Sequence, residues 1–210
     1  MKIYDIANFP NPVRVRIALA EKAALDDVEF VSVDVMNGEH REAAFLAKNP
    51  GGTVPVLELA DGTTVSECTA ITEYIDHSFD GPTLTGRSPK ERAVVHMMQR
   101  RAESQLLDAV GAYFHHATPG LGPELERNQN AAWGEAQKSV ALAAMHYLNS
   151  VLETSPYVAG DAFSMADITA FAGLAFADFA KVEIPAEYTH LLAWRARMTE
   201  RPAVARALAA

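Results

Sequence analysis

Residues able to do chemistry gather in two short segments and on one helix face of this chain. Val54-Pro55 opens the run Val56-Leu57-Glu58-Leu59, which otherwise reads as a central strand, where a proline's missing N–H would normally argue against the strand. Two readings follow. A cis Val54–Pro55 bond turns the N–H and C=O of Val54 outward, so that an extended, peptide-like ligand can pair with them as an added strand. A trans proline on an edge strand needs no ligand. Further on, Val65-Ser66-Glu67-Cys68-Thr69-Ala70-Ile71 brings an acid and the N–H groups of a helix start together. The helix start favours a carboxylate and Glu67 can take an ammonium, which suits the α-amino-acid end of a ligand. Without a ligand, Ser66 is an N-cap and Glu67 a first-turn acid.

On the helix expected from Pro89, the residues Arg101, Ser104, Asp108, Gly111, Ala112 and His115 recur at helical spacing beside apolar Leu106, Ala109 and Val110. Such a stripe can line a wet cleft. Gly111 costs about 1 kcal/mol relative to Ala in a helix interior, which suggests space one turn before His115. The alternative is that His115 and His116 satisfy carbonyls at the helix end, where a cationic imidazole is favoured by about 0.3–1 kcal/mol. A further motif is purely structural: in Phe163-Ser164-Met165-Ala166-Asp167-Ile168, Ser164 is the N-cap, Asp167 stands at N3, and Phe163 packs on Ile168 as a staple.

The elements that must position these residues follow from periodicity. Ile3 to Ile6 reads as a strand and Pro12 to Ala24 as a helix with Asn11 as N-cap. Tyr4 is expected to face inward by strand alternation. Val28 to Val33 is a strand, Glu39 to Ala47 a short helix, and Val54 to Leu59 and Thr63 to Val65 flank Asp61-Gly62, a hairpin signal. A helix follows from Ser66 to Ser78. The order βαβαββα is that of an α/β thioredoxin-like domain, expected over residues 1–81. The stretch from Asp80 to Pro89 carries two prolines and two glycines, and residues 82–88 within it read as a linker. From residue 89 to 210 an all-α helical bundle is expected, with helices at Pro89 to His116, Glu124 to Glu153, Ser164 to Phe179 and Tyr188 to Thr199, then a short final helix.

Composition narrows the function. The net charge of −9 argues against nucleic acid, which needs clustered basic surface. No run of about 18 apolar residues occurs, and the first residues lack a signal-peptide pattern, so a cytoplasmic protein away from membranes is expected. The single cysteine, Cys68, excludes a disulfide framework and a cysteine-based zinc cluster, and no metal is expected.

These motifs, in this order, resemble the glutathione S-transferase superfamily. The segments Gly38-Glu39-His40-Arg41, Phe45 to Asn49, Gly52 to Leu59, Glu67 to Asp76 and Tyr113 to Pro123 are most similar to an atypical class known from fungi that lacks the usual catalytic Tyr, Ser or Cys. The resemblance implies a detoxification enzyme that conjugates the thiolate of glutathione, its co-substrate, to small hydrophobic electrophiles. It implies that Val54 and Pro55 meet the cysteinyl part, Glu67 and the N–H of Cys68 hold the γ-glutamyl end, and His40 and Thr53 lie near the glycyl carboxylate. Phe9, Gly111 and Tyr113 are expected at the substrate pocket, and His115 is the catalytic candidate, acting on the thiol through a water. A homodimer is implied too, with Met97 and Met98 as weak support. In the first strand and turn only Tyr4 carries a hydroxyl, and the place of the usual catalytic tyrosine falls nearer Asp5. A non-catalytic glutathione-binding or regulatory protein on the same fold is the alternative, and a thiol-disulfide reductase a third, disfavoured by the lone Cys68.

Overall fold

In β1 (Lys2–Asp5) the alternation of a strand sends Ile3 and Asp5 into the interior, while Tyr4 stays half-buried on the other face. Tyr4 therefore does not face inward as expected. The computed structural model describes residues 1–209 of the chain, and these form two units, each with its own core.

The first unit comprises residues up to Leu84 together with the last helix. In its sheet, β1 lies between β2 (Glu29–Ser32), parallel to it, and β3 (Val56–Glu58), antiparallel, while β4 (Thr64–Val65) closes the edge beside β3. The β3–β4 hairpin turns at Asp61-Gly62: Gly62 takes φ +85°, Leu59 N–H donates to Thr63 O at 2.9 Å, and the Asp61 carboxylate accepts from Thr63 N–H at 2.9 Å. This mixed sheet with its helices is a thioredoxin-like domain.

The helix α1 (Pro10–Glu21) starts earlier than expected, with extended Phe9 rather than Asn11 at its cap. N–H groups in a first turn have no carbonyl one turn back, so Pro10 and Pro12 both fit there. Asn11 lies inside the turn, its side chain accepting from Arg14 at 2.9 Å. The expected helix from Glu39 to Ala47 is divided by extended Glu42 into a 3₁₀ turn, Glu39–Arg41, and α2 (Ala43–Leu46). α3 (Cys68–Ser78) is preceded by Glu67 at the cap position, not Ser66. Buried Lys22 joins α1 to α3 through Asp76, at 2.7 Å.

The second unit, Thr85–Arg201, is helical. α4 (Pro89–Ala102) and α5 (Asp108–Ala117) join through a π turn, Glu103–Leu107, rather than running as one regular helix. There Leu106 meets α7 (Met165–Phe179) at Gly173, where a Cβ would lie 2.9 Å from the leucine side chain. Residues 118–130 are a loop, so α6 (Ala131–Thr154) begins later than the expected Glu124, capped by the Asn130 side chain. The capping box of α7 forms as expected between Ser164 and Asp167. α8 (Thr189–Thr199) completes this unit. The final helix, α9 (Pro202–Ala209), packs on α1, and its Arg206 pairs with Asp26 at 2.5 Å. The expected 89–210 bundle therefore loses its last helix to the first unit.

Candidate functional site

The approach to β3 is built by one buried side chain. Asn49, 4% exposed, donates from Nδ2 to Thr53 O at 2.8 Å and to Thr53 Oγ1 at 3.0 Å, while its Oδ1 accepts from Gly51 N–H at 3.0 Å. A short polar residue ahead of two glycines suits such a turn. Gly52, at φ +58°, passes close to the 3₁₀ turn: a Cβ there would stand 3.2 Å from His40 O. The loop thus delivers Val54 to a cis bond with buried Pro55. The ladder with β1 starts only at Val56, so Val54 stands outside it with its backbone available to an added strand.

His40 is 8% exposed, and its Nδ1 is buried without a hydrogen-bond partner. Burial, with a smaller contribution from the Arg41 charge, holds its pKa below the usual histidine value. A buried imidazole with an orphaned nitrogen is a polar group prepared for a partner. Thr53, by contrast, has its hydroxyl engaged by Asn49.

At the head of α3, Glu67 holds φ 69° and ψ 117°, a region that L side chains seldom adopt. Its carbonyl accepts from Ile71 N–H at 3.0 Å to start the helix, and its side chain is exposed. Cys68 is buried and its thiol donates to Asn11 O at 3.4 Å, which ties the first turn of α3 to that of α1. The Cys68 side chain is therefore directed at α1.

Both candidates on β1 are engaged by neighbouring side chains. Asp5 is buried and receives both arms of Arg16, at 2.7 and 3.1 Å, with that guanidinium 4.0 Å from the Phe30 ring centroid. Tyr4 donates to Glu58 at 3.0 Å, and the same carboxylate takes Lys48 Nζ at 2.5 Å. These bonds lower the Glu58 pKa and raise that of Lys48.

In the second unit, His115 Nδ1 lies 2.7 Å from Glu126 Oε1. His116 accepts from Asn130 N–H at 3.1 Å and meets Trp133 edge-on, so neither imidazole serves as a carbonyl cap. That carbonyl role falls to Gln129, which donates to His115 O and Thr118 O at 2.8 and 2.7 Å. Gly111 leaves no empty space one turn before His115: the Phe176 ring occupies it, 3.3 Å from where a Cβ would be. Phe114, Phe176 and Phe179 form an aromatic cluster there, with the His115 ring edge-on to Phe114. Tyr113 is half-buried beneath Lys138 Nζ at 4.9 Å, and in the first unit Phe9 is half-buried at the head of α1. Among the described residues, no cluster of side chains could hold a metal ion, and no helix is long and apolar enough to cross a membrane.

Residues 10–78 match the family model for the N-terminal domain of glutathione S-transferases, and residues 108–202 match that for the C-terminal domain. The chain is 58% identical to Glutathione S-transferase 2 of Saccharomyces cerevisiae over 99% of its own length and 89% of that protein's. It overlays the crystal structure of Gtt2 from the same yeast with a TM-score of 0.97 at 58% identity, covering 99% of this chain and 100% of that one. A glutathione S-transferase domain-containing protein from Marinobacter aquaeolei VT8 gives 0.96 at 65% identity, covering 97% and 100%. The chain belongs to the glutathione S-transferase superfamily.

Within that superfamily it is an enzyme of the fungal Gtt2 type. As a glutathione S-transferase it carries Val54, Glu67, Cys68, His40 and Thr53 in one unit, and His115, Gly111 and Tyr113 in the other. Sequence reasoning assigned no role to Asn49 or Glu126. Asn49 ahead of Gly51-Gly52 carried a local turn signal that could have revealed it. Glu126 lies in a segment whose pattern read as helix, and nothing local marks its partner.

Proposed function

We propose that this chain binds glutathione along Val54 and conjugates its thiolate to small hydrophobic electrophiles. Val54 pairs with the cysteinyl part, Glu67 and the N–H of Cys68 hold the γ-glutamyl end, and His40 and Thr53 attend the glycyl carboxylate. The observation that carries this reading is Glu67. A non-glycine residue at φ 69° and ψ 117° stores about 1–3 kcal/mol of strain, which persists only where the surroundings over-determine it, as at a ligand clamp. Here the strain sets an exposed carboxylate beside a helix N-terminus, the charge pattern that matches a zwitterionic amino-acid group. The orphaned Nδ1 of His40 in the same unit supports the glycyl end.

Lowering the bound thiol's pKa by two units requires about 2.7 kcal/mol of preference for the thiolate. Asp5 and Tyr4 are engaged by Arg16 and Glu58, which favours assigning the proton acceptor to His115. The S–H proton passes to its Nε2 through a water; the thiolate attacks the electrophilic carbon, a C–S bond forms, and the leaving group departs. The enzyme is read as a cytoplasmic homodimer acting in detoxification. Met97, exposed on α4, supports a subunit contact there, whereas Met98 is buried.

Calorimetry with glutathione tests the binding reading. Micromolar-to-millimolar affinity is expected in the wild type and near-complete loss in Glu67→Ala; unchanged affinity in that variant would overturn the assignment.

A further inference from the structure

The segment Pro119-Gly120-Leu121-Gly122-Pro123, which interrupts the helices, is folded around a carboxylate. Glu126 is only 11% exposed in its side chain, and its Oε1 accepts from Leu121 N–H at 2.9 Å as well as facing His115 Nδ1 at 2.7 Å. Gly120 takes φ +56°, and any Cβ there would overlap the Glu126 carboxylate. The loop is braced on both sides. Thr118 Oγ1 donates to Phe114 O at 2.6 Å and accepts from Gly120 N–H at 3.0 Å, and Glu126 N–H closes a turn onto Gly122 O at 3.0 Å. Gln129 ties the end of α5 to the same loop.

A carboxylate only accepts, so the nitrogen of His115 that faces Glu126 must carry the hydrogen. The other nitrogen, Nε2, makes no hydrogen bond to the described residues, and the side chain is 42% exposed. We propose that Glu126 is a positioning residue that fixes His115 as its Nδ1–H tautomer, held in one orientation by the Gly120–Gly122 loop, and so leaves Nε2 to accept a proton. This rests on the assignment of His115 as the proton acceptor. When Nε2 takes the thiol proton, the imidazolium formed lies against the Glu126 carboxylate and is stabilised by it. When Nε2 returns the proton to solvent, the neutral Nδ1–H form is restored. The geometry thus gives a reason for the two glycines: Gly120 makes room for the carboxylate, and the turn at Gly122 brings it back toward α5.

The test uses the whole chain with ¹⁵N-labelled histidine, the His115 signals being assigned by their loss in His115→Ala. In the wild type, long-range ¹H–¹⁵N spectra are expected to show His115 as the Nδ1–H tautomer, and in Glu126→Ala to show the Nε2–H tautomer. With glutathione and a dinitrophenyl halide, Glu126→Ala is expected to lower kcat about tenfold and leave KM for glutathione within a factor of two. Glu126→Gln keeps the volume and an acceptor for Leu121 N–H, so a several-fold fall in kcat with an unchanged melting temperature separates loss of the charge from collapse of the loop. An Nε2–H tautomer in the wild type, or a tautomer unaltered in Glu126→Ala, would overturn the positioning role whatever the kinetics. If the tautomer switches but both Glu126→Ala and His115→Ala keep wild-type kcat, the assignment of His115 as proton acceptor is what fails, and the rate effect proposed for Glu126 fails with it.

Discussion

Removing the Asp167 carboxylate should destabilise the helical unit far more than removing its capping partner, Ser164. Asp167 is fully buried and accepts from Val158 N–H at 2.9 Å, Ser164 N–H at 3.0 Å, the Ser164 hydroxyl at 3.1 Å and the Trp194 indole N–H at 3.1 Å. In Asp167→Ala the two backbone donors and the indole lose their acceptor inside the protein, at about 1–3 kcal/mol each. The expected cost is about 3–6 kcal/mol, the lower part of that sum, since water entering the vacated volume recovers some of the bonds. In Ser164→Ala only the hydroxyl is lost, with its 3.3 Å bond from Ala166 N–H, for about 1 kcal/mol. The two effects also differ in their dependence on pH. Burial raises the Asp167 pKa to about 6 against an ordinary 3.8, with the N–H donors of Val158, Ser164 and Trp194 opposing the rise. A folded-state pKa above the unfolded one means that this contribution is fullest below about pH 4 and is lost as pH rises through 6. Over that whole range the loss is about 3 kcal/mol, and between pH 5 and pH 7 about 1 kcal/mol. The penalty of Asp167→Ala should therefore be about 1 kcal/mol greater at pH 5 than at pH 7. Urea unfolding followed by tryptophan fluorescence at the two pH values measures both quantities. Equal penalties for Asp167→Ala and Ser164→Ala, or a penalty that grows with pH, would refute the reasoning.

Asn49→Ala removes the side chain that spans Gly51 to Thr53, so glutathione affinity is expected to fall about tenfold with little change in kcat; titration calorimetry beside steady-state kinetics reads both, and unaltered affinity would mean that the loop keeps its form without Asn49. Cys68→Ser keeps the backbone at the head of α3 and a donor toward Asn11 O, so glutathione affinity and conjugation should stay within about threefold of wild type; abolished turnover would instead point to chemistry at the thiol.

Much of this protein is legible locally. The Asp61-Gly62 hairpin, the α7 capping box, the helix start marked by Pro89, and the proline at the head of β3 all act through backbone preferences within a few residues. Where local reading missed, a contact distant in sequence had intervened. Tyr4 was expected inside, but the faces of β1 are decided by the neighbouring strands, and Glu58 on β3 takes its hydroxyl. Glu124 to Gln129 has helical spacing, but Glu126 and Gln129 bind back to the end of α5 and hold the segment as a loop. The first residues of α3 suggested Ser66 as the cap, but the chain turns at Glu67 instead, with the thiol of the next residue on Asn11 of α1.

By itself the sequence determined the order of elements, the thioredoxin-like and helical halves, and the residue types at Val54, Pro55 and Glu67. Each of these rests on φ preferences, hydrophobic periodicity or a charge beside a helix end, and all act between near neighbours. Only the tertiary structure decided which charges meet. It gave Asp5 to Arg16 and His115 to Glu126, brought Trp194 to the cap of α7, and laid α9 on α1. A charged or polar side chain bears no mark of its partner in the sequence, because the partner is set by which faces of separate helices and strands bury each other's apolar surface. Once that packing is fixed, the desolvation penalty on an unpaired group selects the pairs that persist.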